Sequence, residues 1–176
     1  MAAALPASLQ RGLHLKPAQY RFELPIAHSV TAVTVTTAVG FGFVKIADLP
    51  EGFLLFQGAV IKDLVITENG SADVSDTWNG DVSLGSVGTV DVDVGDANEA
   101  NFMGSTAVGA AVAGVTPSQD IMSAEGINGV LLDNSAGSLD INLNLLVDAA
   151  DMGDDKSVVF GVTGTLIISF VPLGDD

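Results

Sequence analysis

Residues 138–145 read SLDINLNL, and this stretch decides the fold class. Apolar residues occupy every second position and polar residues occupy the positions between them, a period of two that is typical of a β-strand. The apolar positions are Leu139, Ile141, Leu143 and Leu145, and the polar positions are Ser138, Asp140, Asn142 and Asn144. The pattern therefore predicts an antiparallel strand with one buried face and one face in water.

The same period recurs along most of the chain. It is clear in TVDVDV at 89–94 and in VTGTLIISF at 162–170. Further strand candidates lie at 30–37, 41–46, 58–67, 81–85 and 129–132. Turn signals rich in Gly, Asn and Pro separate these eight segments. Eight short strands predict an all-β protein, an antiparallel β-sandwich of the jelly-roll type.

Helix signals are confined to an insertion at 95–128. Asp96 and Glu99 have the spacing of a capping box, and Thr116 followed by Pro117 fits a helix start, so two short helices are expected in this long loop. The segment between them, AVGAAVAGV at 107–115, consists of small apolar residues. It is interpreted either as a subunit contact, which small residues favour, or as a disordered loop.

Composition excludes several classes of function. The 176 residues suit one domain with a substantial core. A formal charge of −16 argues against nucleic acid as a partner, because binding to phosphates depends on Lys and Arg. The absence of Cys excludes disulfides and thiolate metal sites. The chain shows no apolar run of membrane-helix length and no signal peptide, so neither a membrane partner nor export is expected.

The charge is unevenly distributed. Residues 1–62 carry five Lys and Arg against three acids, whereas residues 63–176 carry one Lys against nineteen acids. Residues 1–21 contain three cations and no acid, with Pro6 and Pro17 inside this stretch. We expect an extended basic arm at 1–25 and a sandwich domain at 26–176. The arm is either a disordered tail or a segment that becomes ordered against an acidic neighbour or a sister subunit.

Two runs lack clean alternation. They are FLLFQGAVI at 53–61 and LIISFVPL at 166–173. Both faces of such strands should be covered, although the outer faces of a two-layer sandwich are normally wet. We therefore expect another subunit to supply the second cover, in a symmetric dimer or trimer.

The sequence shows no catalytic constellation. His14 and His28 stand outside any metal-spaced cluster, and neither a G-x-S-x-G elbow nor a phosphate-binding loop occurs. We expect no enzyme activity, no cofactor and no metal, although calcium at Asp91 and Asp93 or at Asp148 and Asp151 stays open. A sugar site would require aromatic platforms, and Trp78 is the single Trp, interpreted as a packing residue.

Five segments together resemble a known family. They are LPEG at 49–52, GAVIKDLVIT at 58–67, GSVGTVDVDVGD at 85–96, LLDNSAGSLDINLNLLVDAADMG at 131–153 and GVTGTLIISFVPL at 161–173. This order of strands and turns is similar to that of the head decoration, or cement, proteins of tailed bacteriophages. The resemblance covers most of residues 49–172 and includes no catalytic motif.

The resemblance implies a virion structural protein. Such a protein would be a homotrimer that is made in the host cytoplasm, binds the major capsid protein and clamps the outer surface of the capsid. The predicted capsid contacts are the arm residues Arg11, Lys16, Tyr20, Arg21 and Phe22. The alternatives are a carbohydrate-binding or adhesin-like β-sandwich and a phage head or tail fibre component; an enzyme using clustered carboxylates is a further rival.

Overall fold

The protein is all-β in the computed structural model, which describes residues 19–34, 39–96, 98–122, 129–137, 139–149 and 151–174. Nine strands lie in these residues: β1 (Tyr20–Val33), β2 (Gly40–Asp48), β3 (Gly52–Glu68), β4 (Gly80–Gly85), β5 (Met103–Val108), β6 (Gln119–Met122), β7 (Leu131–Asn134), β8 (Asp140–Val147) and β9 (Ser157–Gly174). The described part of the chain contains no helix that could cross a membrane.

The strands form two antiparallel halves joined at a corner. The first half has the order β1-β9-β3, with β6 and β7 both pairing with β3, and the second half has the order β2-β8-β4-β5. One residue pair, Val33 opposite Phe41, links the halves. The first strand pairs with the last and the second with the last but one, which is the interleaved order of a jelly roll. The predicted all-β jelly-roll sandwich is therefore confirmed.

Aromatic side chains fill the space between the halves. Trp78 is fully buried and stands edge-on to Phe160 of β9, with ring centroids 5.0 Å apart. Phe56 of β3 packs at 5.3 Å against Phe102, which precedes β5. Rings of this size dominate the apolar area that a core removes from water. Trp78 is thus the packing residue that the sequence predicted.

The segment TVDVDV at 89–94 is not a strand, contrary to prediction. Its carboxylates bind the adjacent backbone, since the Asp93 N–H donates to Asp91 Oδ1 and the Gly95 N–H donates to Asp93 Oδ1, both at 2.9 Å. Side-chain to backbone bonds of this kind compete with the ladder of a sheet. The alternating pattern therefore belongs to a loop.

The two helices predicted at 95–128 are absent from the described residues of that interval. The Asp96 carbonyl oxygen accepts from the N–H groups of Glu99 and Ala100, so the capping-box pattern forms one turn that does not continue. Residues 119–122 of the second predicted helix form the strand β6 instead, and residues 123–128 lie outside the described residues. Tertiary pairing of β6 with β3 outweighs the local helix signal.

The N-terminal strand starts before the predicted domain boundary. β1 pairs with β9 along its whole length, from Tyr20 opposite Phe170 to Val33 opposite Ser157. The boundary expected between residues 25 and 26 thus falls inside β1, and residues 1–18 of the expected arm lie outside the described residues.

Candidate interaction surface

The outer side of the second half is covered by the protein's own chain. A loop of residues 86–96 and 98–101, here named the cover loop, runs across β8 and β4 between two strands of that half. Asn142 and Asn144 of β8 are consequently buried. The wet face predicted for residues 138–145 is therefore wrong at Asn142 and Asn144, because the cover loop takes the place of water there.

Asn144 anchors the cover loop. Its Oδ1 accepts from the Thr89 N–H at 2.8 Å, and its Nδ2 donates to the carbonyl oxygens of Val87 at 3.2 Å and Glu99 at 2.8 Å. Ser83 of β4 donates through Oγ to the same Glu99 oxygen at 2.8 Å. A polar residue that satisfies several buried groups fixes the position of the loop.

The cover loop also contains a buried acid. Glu99 is 6% exposed, and its Oε2 has no hydrogen-bond partner among the described residues. Burial raises the pKa of Glu99, and the nearby charges of Asp91 and Asp96 add to the effect, against hydrogen bonds from Thr89 and Val90. The charged form of this side chain therefore costs stability where it lies.

The outer side of the first half has no such cover in the described residues. Register places apolar residues side by side there, because opposite residues of an antiparallel pair share a face. Val60 of β3 lies opposite Ile167 of β9 on one side and Met122 of β6 on the other. Two rows away, Leu55 lies between Val171 and Leu131 in the same manner.

These residues form two apolar rows on one side of the sheet, which together we name the outer apolar face. Its members are Leu55, Val60, Met122, Leu131, Ile167 and Val171. Met122 is 67% exposed and Leu131 is 58% exposed, whereas the β3 and β9 residues are half-buried. The row between the two apolar rows contains Gly58 opposite Ser169, with Gln57 at the β-bulge beside Gly58.

The outer apolar face explains the runs that lacked alternation. In 53–61 and 166–173 the inward residues reach the core, and the outward residues are apolar as well. The second cover that the sequence predicted for these runs is not supplied by the described residues of the chain itself. Exposed apolar residues gathered on one side of a sheet indicate an interaction site.

Strand β1 brings one predicted contact residue to the rim of this face. Arg21 lies opposite Ser169, and Glu23 lies opposite Ile167. Arg21 Nη2 donates to Glu23 Oε1 at 3.0 Å, and both side chains are 61% exposed. An exposed pair like this contributes little to stability, so either side chain can exchange its partner at small cost.

The other predicted contact residues do not lie on this face. Tyr20 and Phe22 alternate with Arg21 and point to the opposite side of the sheet, where the Phe22 ring stacks on Phe170 with centroids 5.1 Å apart and Tyr20 stacks on Phe22 at 6.2 Å. Arg11 and Lys16 lie outside the described residues. Capsid contact by these five residues stays a prediction.

Met122 and Leu131 are the residues of the face that sequence reasoning did not select. Leu131 belonged to a predicted strand, but its place on the face depends on pairing with Leu55, 76 positions earlier. Met122 lay in a segment expected to be helical. Alternation identifies a two-faced strand, whereas the register that collects such residues into a patch is a long-range property.

The small-residue segment at 107–115 ends in a tight apolar hairpin. Val112 and Val115 each donate their N–H to the other's carbonyl oxygen, and Ala113 and Gly114 both have positive φ. The Gly114 carbonyl oxygen accepts from the Trp78 ring nitrogen at 3.3 Å, which ties the hairpin to the core. Val112 is 76% exposed at the tip. The hairpin packs on the core, and the role of the segment as a subunit contact stays a prediction.

Asp91, Asp93 and Asp151 each accept a backbone hydrogen bond through a carboxylate oxygen. The Asn79 N–H donates to Asp151 Oδ2 at 2.9 Å, and the Asp148 N–H donates to the Asn79 carbonyl oxygen at 2.9 Å. Lys45 Nζ lies 2.5 Å from Asp48 Oδ1 and 2.8 Å from Asp140 Oδ1, which raises the pKa of Lys45. Among the described residues no group of three or more His, Asp or Glu side chains is arranged to hold a metal ion.

Comparison with known proteins gives neither a family nor a curated relative. No family model matches the chain, and no curated protein matches it.

Three solved structures align over nearly the whole chain at low similarity. A structure of the infectious bursal disease virus Gx strain aligns with 92% of this chain and 34% of its own, at 10% identity and TM-score 0.41. A structure of turnip yellow mosaic virus aligns with 99% of this chain and 89% of its own, at 9% identity and TM-score 0.33. A structure of the cyanophage Pam1 capsid asymmetric unit aligns with 98% of this chain and 99% of its own, at 13% identity and TM-score 0.31. The chain thus spans about a third of the first of these structures, and at these scores none of them assigns a family.

Proposed function

We propose that the protein is a virion structural protein, a decoration protein that binds the outer surface of a phage capsid and stabilises the shell. The observation that carries the proposal is the outer apolar face, which the described residues leave open while the cover loop covers the other sheet. Burial of such side chains against a partner contributes about 1.5–3 kcal/mol for each fully covered residue.

The sequence resemblance supports the identity of the partner. Decoration proteins of tailed phages bind major capsid proteins, and the segments that carry the resemblance include parts of β3 and β9, which form the centre of the outer apolar face. A jelly roll alone would not select this role, since lectins and cupins also use it.

A binding role without catalysis fits the same surface. The outer apolar face has no nucleophile or acid–base pair among its six residues. A sugar-binding role is less well supported, because Trp78 is buried under the sheets and cannot stack on a ligand.

A particle-binding experiment tests the proposal. Phage particles stripped of the protein by a mild chaotrope would be mixed with purified wild-type protein or with the double variant Met122→Lys/Leu131→Lys, and the bound protein would be measured after sedimentation. Wild type should rebind and protect the particles against heat. The variant should lose at least tenfold in affinity, because the charges would have to be buried or the contact given up.

The matched control is Val90→Lys, a substitution at an equally exposed Val of the cover loop. It should bind like wild type. Equal binding by all three proteins, or absence of the protein from purified virions, would refute the proposal.

The proposal includes a homotrimer. Light scattering should give about 54 kDa, three times the 17.9 kDa of the chain. Trimers attach at three points, so moderate affinity at each site gives firm attachment overall. A stable monomer at micromolar concentration would contradict this part of the proposal.

A further inference from the structure

Strand β5 differs from the other strands at the margins of the two halves. β1 contains Pro25, β2 contains Lys45, β6 contains Asp120 and β7 contains Asp133. Charges and prolines of this kind protect a strand edge from pairing with other chains. β5 reads MGSTAV and has neither.

One edge of β5 is open in the described structure. β5 forms a ladder with β4, and no other described strand pairs with it. Ser105 and Ala107 are exposed on its outward side. A neutral strand with small outward side chains and an unpaired edge can accept an extended peptide as an additional strand.

An acid stands next to this edge. Asp81 of β4 lies directly opposite Ala107, so the two side chains share the outward face of the sheet. A strand added to β5 would lie two strand spacings, about 10 Å, from β4. Ala107 carries a single methyl group, so a long side chain on the added strand could pass over it towards Asp81.

The environment of Asp81 favours a cation there. Its pKa is raised, first by burial and then by the nearby charge of Asp148. A cation brought beside it would offset both effects. No Lys or Arg among the described residues forms an ion pair with Asp81.

We propose that the free edge of β5 binds an extended segment of another protein that carries a Lys or Arg on its outward face opposite Ala107. This interaction goes beyond the proposed function, because it uses the second sheet and leaves the outer apolar face free. Backbone hydrogen bonds to β5 would supply affinity, and the contact with Asp81 would select a basic segment.

The β5 strand of a second copy is a poorer occupant. Pairing β5 with β5 of another copy would bring Asp81 and Asp148 of both chains to one edge, and β5 offers no cation to compensate. Like charges across a pairing interface reduce affinity. The net charge of −16 adds to this repulsion.

The test uses three fluorescein-labelled ten-residue peptides of alternating Val and Thr. The first has one central Lys, the second has Glu at that position, and the third is the Lys peptide with N-methyl groups on alternate backbone nitrogens. Binding to the full chain is measured by fluorescence anisotropy, and hydrogen exchange locates the site. The Lys peptide should bind at least tenfold more tightly than the Glu peptide and should protect residues 103–108, and N-methylation should abolish binding.

Two variants and one control sharpen the result. Asp81→Asn should remove the preference for Lys over Glu, and Ala107→Lys should weaken the Lys peptide at least tenfold. Ala27→Lys adds the same charge at an exposed Ala of the other sheet and should bind like wild type. Thermal melts of all variants establish that they are folded.

Three results would overturn the inference. They are equal binding of the Lys and N-methylated peptides, an unchanged Lys preference in folded Asp81→Asn, and protection of residues 103–108 by self-association without peptide. None of these results bears on the capsid-binding test, which depends on Met122 and Leu131.

Discussion

Individual side chains reveal where this protein accepts a local cost. Ala113 adopts a φ of 52° at the tip of the 112–115 hairpin, a conformation that favours Gly or Asn. Glu99 is buried with one carboxylate oxygen unpartnered. Both residues lie in loops that pack against the sheets, where tertiary contacts outweigh an unfavourable local state.

The buried acid gives a pH-dependent prediction. The pKa of Glu99 is raised in the folded protein. The fold is therefore most stable with respect to this group below the unfolded pKa, where Glu99 is neutral, and it loses this stability as pH rises through the folded pKa. Glu99→Gln stays neutral at every pH. The melting temperature of the variant should therefore exceed that of wild type by a few degrees at pH 7.5, and the difference should shrink towards zero near pH 4.

The control for this prediction is Glu51→Gln, which removes the same charge from an exposed side chain. Its melting temperature should follow wild type at both pH values. A Glu99→Gln variant less stable than wild type at pH 7.5 would mean that the carboxylate is stabilised in the fold.

At the level of elements, the corner between the halves depends on a close approach of two backbones. A methyl group added at Gly42 of β2 would overlap the backbone oxygen of Thr31 in β1. This is the place where the β1–β9 sheet and the β2–β8 sheet meet. Glycine is required at this position because a side chain would clash with β1, and not because of its backbone conformation, since its φ lies outside the left-handed region.

Gly42→Ala should consequently destabilise the protein by about 1–3 kcal/mol, as overpacked sites do. Gly104→Ala is the matched control, because a methyl group there would meet no atom within 4 Å. That variant should be neutral or slightly stabilising. Urea unfolding of the two variants measures the difference, and equal midpoints would show that the corner can open without cost.

Sequence periodicity located many of the strands, although β4 and β8 are largely covered on both faces. Residues 41–46, 58–67, 81–85 and 162–170 all lie within strands, and β8 was found from 138–145. β5 and β6 were missed because short edge strands with few apolar residues carry little signal. The alternating valines at 89–94 led to a wrong strand prediction. The aspartates between them accept hydrogen bonds from the loop backbone, whose N–H groups therefore do not pair with a neighbouring strand.

The candidate site was less predictable than the fold. The sequence indicated that β3 and β9 need a second cover, which is why an interaction surface was expected at all. It could not show that Met122 and Leu131 complete the face, because their neighbours Val60 and Leu55 are distant in the chain. Nor could it show that the cover loop protects the other sheet, so that the two outer surfaces differ.

On the scale of the whole molecule, net charge opposes assembly while apolar surface favours it. Copies with a charge of −16 repel one another through solvent, and salt shortens the range of this repulsion from roughly 30 Å at 0.01 M to about 3 Å at 1 M. Self-association should therefore strengthen as NaCl is raised. Sedimentation equilibrium measures this trend directly, and association that weakened with salt would indicate ion pairs as the main contact.

The place of β9 between β1 and β3 has a consequence for biosynthesis. Both of these long strands are made early, yet each finds its main partner in residues 157–174. On the ribosome, β1 and β3 of a nascent chain stay without their β9 partner until residues 157–174 have emerged from the exit tunnel. Stalling or truncation before residue 157 should leave β1 and β3 as apolar strands with unpaired edges, which would bind chaperones or aggregate into inclusion bodies.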